Sequence, residues 1–306
     1  MKNDDPQIVI IGAAILDVLV RPADADVFRT GSSPAEEILL SPGGDALNEA
    51  AVLSKLGKRV RLETIIGNDR AGRFVISYCE ECGIELPGDC IRDGIDTGVN
   101  VVLVSEDGER HFLTAPKSTL RRLTTGDIHM PFPDSANIIC FASIFVFPEI
   151  GPSELEQIFA AAKAQGKRVC ADMTKRKKSE TTEDLACALK YVDYLFPNDE
   201  EAMLLTGKDT VEDAADDLIV AGVGTVVIKC GSGGCYMAGM QGEGRAGTWI
   251  PPVQGVKCID TTGAGDSFAA GVLYALSEGK TPEECAAFAN ECGARAVAVT
   301  GASEWL

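Results

Sequence analysis

Short apolar runs alternate with amphipathic stretches along most of the chain. The run at 7–11 is apolar almost throughout, which suits a strand covered on both faces. After Gly12 come two short extended candidates, 16–20 and 38–40, separated by a polar stretch. A helix is predicted over 45–56, closed by Gly57 as a C-terminal cap. A strand over 59–66 follows, then a helix over 71–82 that stops at Gly83. Residues 99–104 and 111–113 flank Glu106-Asp-Gly-Glu109, where Asp107-Gly108 signals a hairpin turn. From 138 onward the pattern turns regular, with strands at 138–141, 168–171, 194–196 and 225–229. Helices at 153–165, 182–189, 199–205 and 211–221 fall between them. Strands alternating with helices imply βαβ units. The expected fold class is therefore α/β, a doubly wound, mainly parallel sheet. The extended pieces near 15–40 and 95–115 would form a smaller sheet beside it. No repeat, low-complexity tract or Pro/Ser-rich linker divides the chain, so residues 1–306 read as one domain.

Composition narrows the partners. The formal net charge is -18 in 306 residues, so phosphate backbones and anionic lipid headgroups are repelled at long range. Nucleic acid and membrane partners are not expected. A local phosphate site stays open, because amides at a helix start bind anions whatever the distant surface carries. The N-terminal run is too short for a signal-peptide core, and no stretch reaches the roughly 18 apolar residues of a membrane span. The eleven cysteines are scattered and odd in number. Cys79 and Cys82 form a CxxC with no second pair or nearby His to complete a zinc set. Idle thiols in a reducing cytoplasm are the expectation. With two histidines, His111 and His129, His-based triads have little to work with.

Four segments carry candidate chemistry. In Asp260-Thr-Thr-Gly-Ala-Gly-Asp266-Ser-Phe-Ala-Ala-Gly271, three small residues precede an apolar helix. Converging amides and the positive helix start would cradle a phosphoryl group, with Asp266 beside it to accept a hydroxyl proton. A plain capped helix would look similar. In Ser41-Pro-Gly-Gly-Asp-Ala-Leu-Asn48, Gly43 and Gly44 permit close backbone approach and Asn48 suits a polyol, or simply serves a turn and a helix start. Asn198-Asp-Glu-Glu201 follows a strand, where carboxylates suit a water-shelled Mg2+, although acids are common in a first helical turn. Lys229-Cys-Gly-Ser-Gly-Gly234 follows a buried strand and would bring amides and Lys229 near nucleotide phosphates. It lacks P-loop spacing, and Gly12 opens no GxGxxG.

In order and spacing these segments resemble the ribokinase family of sugar kinases, also called the PfkB family. Gly43-Gly44 with Asn48 and Leu56-Gly57 match its first signature, and the run from Asp260 to Gly271 matches its second almost without departure. The likeness spans essentially the whole chain, including the late helix at 286–299. It implies ATP and Mg2+ as cofactors and Asp266 as catalytic base. Gly263, Ala264 and Gly265 match the anion hole, and Asp17, Gly43, Gly44 and Asn48 match acceptor binding. Asn198 and Glu201 match the motif governing Mg2+ and phosphate. Lys229, Gly231 and Gly234 fall where the family binds nucleotide, and Asn290 near the adenine. In members activated by a monovalent cation such as K+, Asp260, Thr262 and a C-terminal loop form its site. The smaller sheet is implied to be a lid over the sugar, and often a homodimer contact.

Two departures stand out. Ribokinases proper carry Gly-Ala-Asn after the lid hairpin, whereas this chain has Thr114-Ala-Pro-Lys-Ser118, which argues against ribose specifically. Val299-Thr-Gly-Ala302 is shorter than the family's usual loop, which puts the K+ site in question. The expected function is transfer of the γ-phosphoryl group of ATP to a sugar hydroxyl. A nucleoside kinase on the same scaffold would want aromatic stacking, and residues 15–40 offer only Phe28. A non-catalytic sugar sensor would not need Asp266.

Overall fold

A computed structural model describes residues 5–106, 110–241 and 244–306. Among these residues the main sheet has eight strands. From one edge they run Gly244–Ile250, Cys235–Gln241, Thr225–Lys229, Tyr194–Leu195, Arg168–Met173, Ile138–Ile144, Ile8–Ile11 and Val60–Glu63. From Thr225–Lys229 to Val60–Glu63 all neighbours are parallel, and the first two pairings are antiparallel.

The period-2 geometry of a strand explains why the central runs are apolar throughout. Val9, Ile11, Ile139 and Phe141 point into one core with the helices Pro152–Ala164, Thr182–Leu189 and Val211–Val220. Ile8, Ile10, Ile138 and Cys140 point into the other, under Asp45–Lys55, Arg70–Cys82, Ala264–Ser277 and Pro282–Ala296. Each fully buried large side chain contributes about 2 kcal/mol. Helix starts are fixed by side chains: Thr181, Asn198 and Thr281 each close a capping box.

The smaller sheet has the order Glu37–Gly43, Ile15–Arg21, Val99–Val104, Arg110–Thr114. Its register places Ser41, Asp17, Asn100 and Thr114 in one row. Leu40, Val18, Val101 and Leu113 form the next row on the opposite face. The Asp107-Gly108 turn lies outside the described residues, while the strands on either side of it pair antiparallel.

Two expectations change. The strand expected over 59–66 is broken: Val60–Glu63 belongs to the main sheet, whereas Ile66–Gly67 pairs with Ile91–Arg92 in a separate ladder. The antiparallel edge pair Cys235–Gln241 and Gly244–Ile250 had no clear signature, because glycines interrupt its alternation. At Gly247 a Cβ would fall 1.8 Å from the Tyr236 hydroxyl, so the Tyr236 ring lies across the ladder over this glycine.

Candidate active site

The helix Ala264–Ser277 starts in a way that only glycine permits. Gly263 adopts φ 68°, and a Cβ on it would lie 2.4 Å from the Ala302 Cβ. The first helical bond runs from the Ser267 amide to the Gly263 carbonyl at 2.7 Å. The Gly265 and Asp266 amides precede it and have no partner within the helix. Together with the helix dipole they make an anion-binding start.

Asp266 sits in that first turn and accepts a 2.7 Å bond from the Asn48 side chain. Asn48 belongs to the helix Asp45–Lys55, so the first and last signature segments meet at this contact. Burial, then repulsion from Asp45, push the Asp266 carboxyl well above the usual carboxylate range. The Asn48 bond and the Lys229 charge oppose that rise.

Lys229 is a buried cation of this acidic pocket. Its Nζ donates to Asp172 Oδ2 at 2.5 Å and lies 3.6 Å from where a Cβ on Gly265 would be. Burial disfavours its charge, but Asp172, Glu201 and Asp266 outweigh burial and raise its pKa. Burial pushes Asp172 up to about 7 against the pull of Lys229. Beneath them Glu49 is 0% exposed, with Oε1 unpartnered and only the Cys140 thiol, at 3.5 Å, on Oε2. Ser143 donates to Asp45.

A second cluster lies where the small sheet meets the main body. Asp17 is pushed up to about 6 by burial, while the Asn100 side chain bonds it and Asp45 repels it. Asp17 Oδ1 and Asn100 Oδ1 are both buried without a donor. A Cβ on Gly43 would fall 2.2 Å from Asp17 Oδ2, and one on Gly44 2.5 Å from the Ala13 carbonyl. The two glycines are thus what lets the small sheet close against the main body at this carboxylate.

A cavity of about 490 Å³ opens on the far side of the anion-binding start. Lys229, Gly231, Gly234, Gly265 and Asn290 line it, along with the apolar Val253, Phe268 and Val297. Asn290 donates to the Ile250 and Pro251 carbonyls at 3.3 and 3.1 Å, which fixes the strand end forming its wall.

Asn198 and Glu201 make the local contacts of a helix start. The Glu201 amide donates to Asn198 Oδ1 at 2.8 Å, and the Asn198 amide to Glu201 Oε2 at 2.9 Å. The same Glu201 carboxyl is raised by burial and lies close enough to Lys229 to be drawn down by it. It therefore caps a helix and also faces the pocket. Asp260 Oδ1 accepts from the Thr262 amide and hydroxyl at 2.9 and 2.7 Å, and Oδ2 from the Gly301 amide at 3.2 Å. Arg110 reaches the same carboxylate from the small sheet.

Asp45, Glu49, Asn100 and Asp172 gather at the site; Asp45 lies inside the Ser41–Asn48 segment without having been given a role, and the other three lie outside every motif. A charge ending the apolar run Val169-Cys170-Ala171, or one inside the apolar helix after Asn48, was the available signal. All eleven cysteines are free, and burial pushes the Cys79 thiol up to about 12.

Comparison with known proteins agrees with this geometry. The pfkB family carbohydrate kinase model matches residues 5–306. A ribokinase from Arabidopsis thaliana is 28% identical over 313 residues, covering 97% of this chain and 77% of that protein. A cytidine kinase from Thermococcus kodakarensis is 30% identical over 285 residues, covering 91% of each. The structure of Arabidopsis thaliana ribokinase complexed with ribose and ATP superposes with a TM-score of 0.77 at 27% identity, covering 98% of this chain and 95% of that one. With a family match spanning the sheet, the anion-binding helix start and both signature segments, the chain belongs to the pfkB family of carbohydrate kinases.

Proposed function

We propose that the chain transfers the γ-phosphoryl group of ATP to a hydroxyl of a small sugar, with Asp266 taking the hydroxyl proton. The observation that carries this is the placement of the Asp266 carboxyl at an amide-lined helix start. On one side lies the nucleotide-sized cavity, and on the other a cleft with two buried acceptors that lack donors.

A sugar hydroxyl is a weak nucleophile, and phosphoryl transfer needs positioning and charge neutralisation more than covalent help. Asp17 and Asn100 would accept hydroxyl protons of the polyol, filling the orphaned Oδ1 positions. Asn48 holds the Asp266 carboxylate on the acceptor side, and the Gly265 and Asp266 amides face the charge that develops in transfer. Lys229 offsets part of the carboxylate charge beside the phosphates. The Glu201 carboxylate and the Asn198 side-chain oxygen would hold Mg2+ through water, and the ion would supply charge neutralisation on the nucleotide. The small sheet acts as the lid.

Sugar is favoured over nucleoside because Phe28, the aromatic of residues 15–40, is 88% exposed rather than set to stack on a base. The exposed apolar face of the lid, with Ile38, Leu40 and Leu113, suits a second copy of the chain. A chain that sediments as a monomer at micromolar concentration would refute that pairing. No described helix is long and apolar enough to cross a membrane, and we place the enzyme in the cytoplasm.

A coupled ADP-release screen over pentoses, hexoses, sugar acids and nucleosides tests the reading. Turnover is expected with at least one sugar. Asp266→Asn should lower kcat by about a thousandfold with little change in the ATP KM. Near-normal turnover by Asp266→Asn, or sugar binding without any ADP release by the native chain, would overturn it.

A further inference from the structure

Asp260 opens the Gly263–Gly265 segment, and its carboxylate is held by donors from three directions. Thr262 gives two bonds to Oδ1 and Gly301 gives one to Oδ2. The Arg110 guanidinium completes the set at Oδ1. The contact is sheltered, with side-chain exposures of 24% for Arg110 and 7% for Asp260. Burial would raise the Asp260 pKa, yet the Thr262 and Gly301 donors and the Arg110 charge hold it below the usual value. These are the residues that a monovalent cation would need. Oδ1 of Asp260 already takes three donors, and a fixed guanidinium repels a second cation at the same carboxylate.

We propose that Arg110, carried by the small sheet, supplies at Asp260 the positive charge that K+ supplies in cation-activated members, so that this chain is independent of monovalent cations. The proposal rests on the kinase reading and adds a positioning residue to it.

The contact is placed to matter. Asp260 ties together the two segments that frame the anion hole. Through Thr262 it sets the turn whose Thr261 carbonyl receives the Ala264 amide at 3.3 Å. Through Gly301 it sets the neighbour of Ala302, which packs on Gly263. Arg110 starts the strand Arg110–Thr114, which pairs with the strand bearing Asn100. One ion pair therefore joins the sheet that holds the acceptor to the loop that holds the phosphoryl group. A cavity of about 660 Å³ between them, lined by Leu19, Arg21, Arg110, Cys258 and Asp260, marks the gap that the pair spans.

The test measures ADP release and thermal unfolding of the native chain, Arg110→Lys and Arg110→Gln, in KCl and in choline chloride at equal ionic strength. The native chain should turn over within about twofold in the two salts and unfold at the same temperature in both. Arg110→Gln should lose about tenfold or more in choline chloride and regain part of it in KCl, whereas Arg110→Lys should keep most of its turnover. Arg110→Gln should also gain a K+-specific rise in unfolding temperature. Several-fold activation of the native chain by K+, full turnover of Arg110→Gln in choline chloride, or a loss that K+ does not restore would each overturn the proposal. If no acceptor gives ADP in any salt, the kinase reading fails. The unfolding temperatures then still decide whether Arg110 or K+ occupies Asp260.

Discussion

Two glutamates are equally buried, at 0% exposure, and live in opposite surroundings. Glu63, at the end of an edge strand, is bonded by Arg61 Nε at 2.8 Å and His129 Nδ1 at 2.8 Å. Glu49, under the active site, has an unpartnered oxygen and feels repulsion from Asp172, Asp266 and Asp45. A carboxylate serving stability is surrounded by cations that cancel its burial cost. One left among like charges, with a single lysine nearby, belongs to a region whose compensation comes from a ligand.

The comparison breaks first at Glu63. Glu63→Ala leaves Arg61 and His129 without their buried partner and should cost about 2 kcal/mol, read as a clear fall in urea midpoint. The Glu63 contact raises the His129 pKa, so its contribution is fully present below the unfolded value of 6.5 and fades as pH rises through the folded value. The penalty should accordingly shrink at alkaline pH, and an unchanged midpoint at pH 6 would contradict the assignment.

Asp45 sharpens the contrast within the site. The base must be deprotonated to act, so turnover falls as pH drops through the raised Asp266 pKa. Asp45→Asn removes the largest charge repulsion and should move the acid limb of kcat/KM down by about one pH unit. A limb that stays put would mean that another group sets it.

The smallest effect is expected at Glu49. Its folded pKa lies well above 4.5, so its contribution to stability is present below that pH and lost as pH rises toward the folded value. Glu49→Gln should therefore unfold about 2 °C higher near pH 8, with the gain vanishing below pH 5. A loss of stability at pH 8 would show that Glu49 has a cationic partner after all.

The same contrast explains what was legible in the sequence. Asp266, Gly263, Ala264 and Gly265 lie in one continuous turn, so the helix start they form could be read from their spacing. Helix ends were legible to within a few residues where Gly83 or Asn198 capped them, whereas the late helix expected over 286–299 starts earlier, at Pro282, after the unrecognised cap Thr281. Asp45 and Glu49 share one helix while Asn100 and Asp172 come from two distant strands, and each looks ordinary in its own stretch. Only the pairing of the Asp17 and Asn100 strands, and the packing of two helices through Asn48 and Asp266, bring them together. Arg110 was illegible for the same reason, since its partner lies 150 positions away.

Gly43 also bears on how such a chain diverges. With the Asp17 carboxylate 2.2 Å from where any Cβ would stand, every substitution at 43 collides with the acceptor side itself. Gly44 is barred from change by the Ala13 carbonyl on its other flank. A lineage moving from one acceptor to another is thus denied the near wall of the cleft. Variation is left to positions farther along the same row of the small sheet, such as Thr114, whose side chain is exposed.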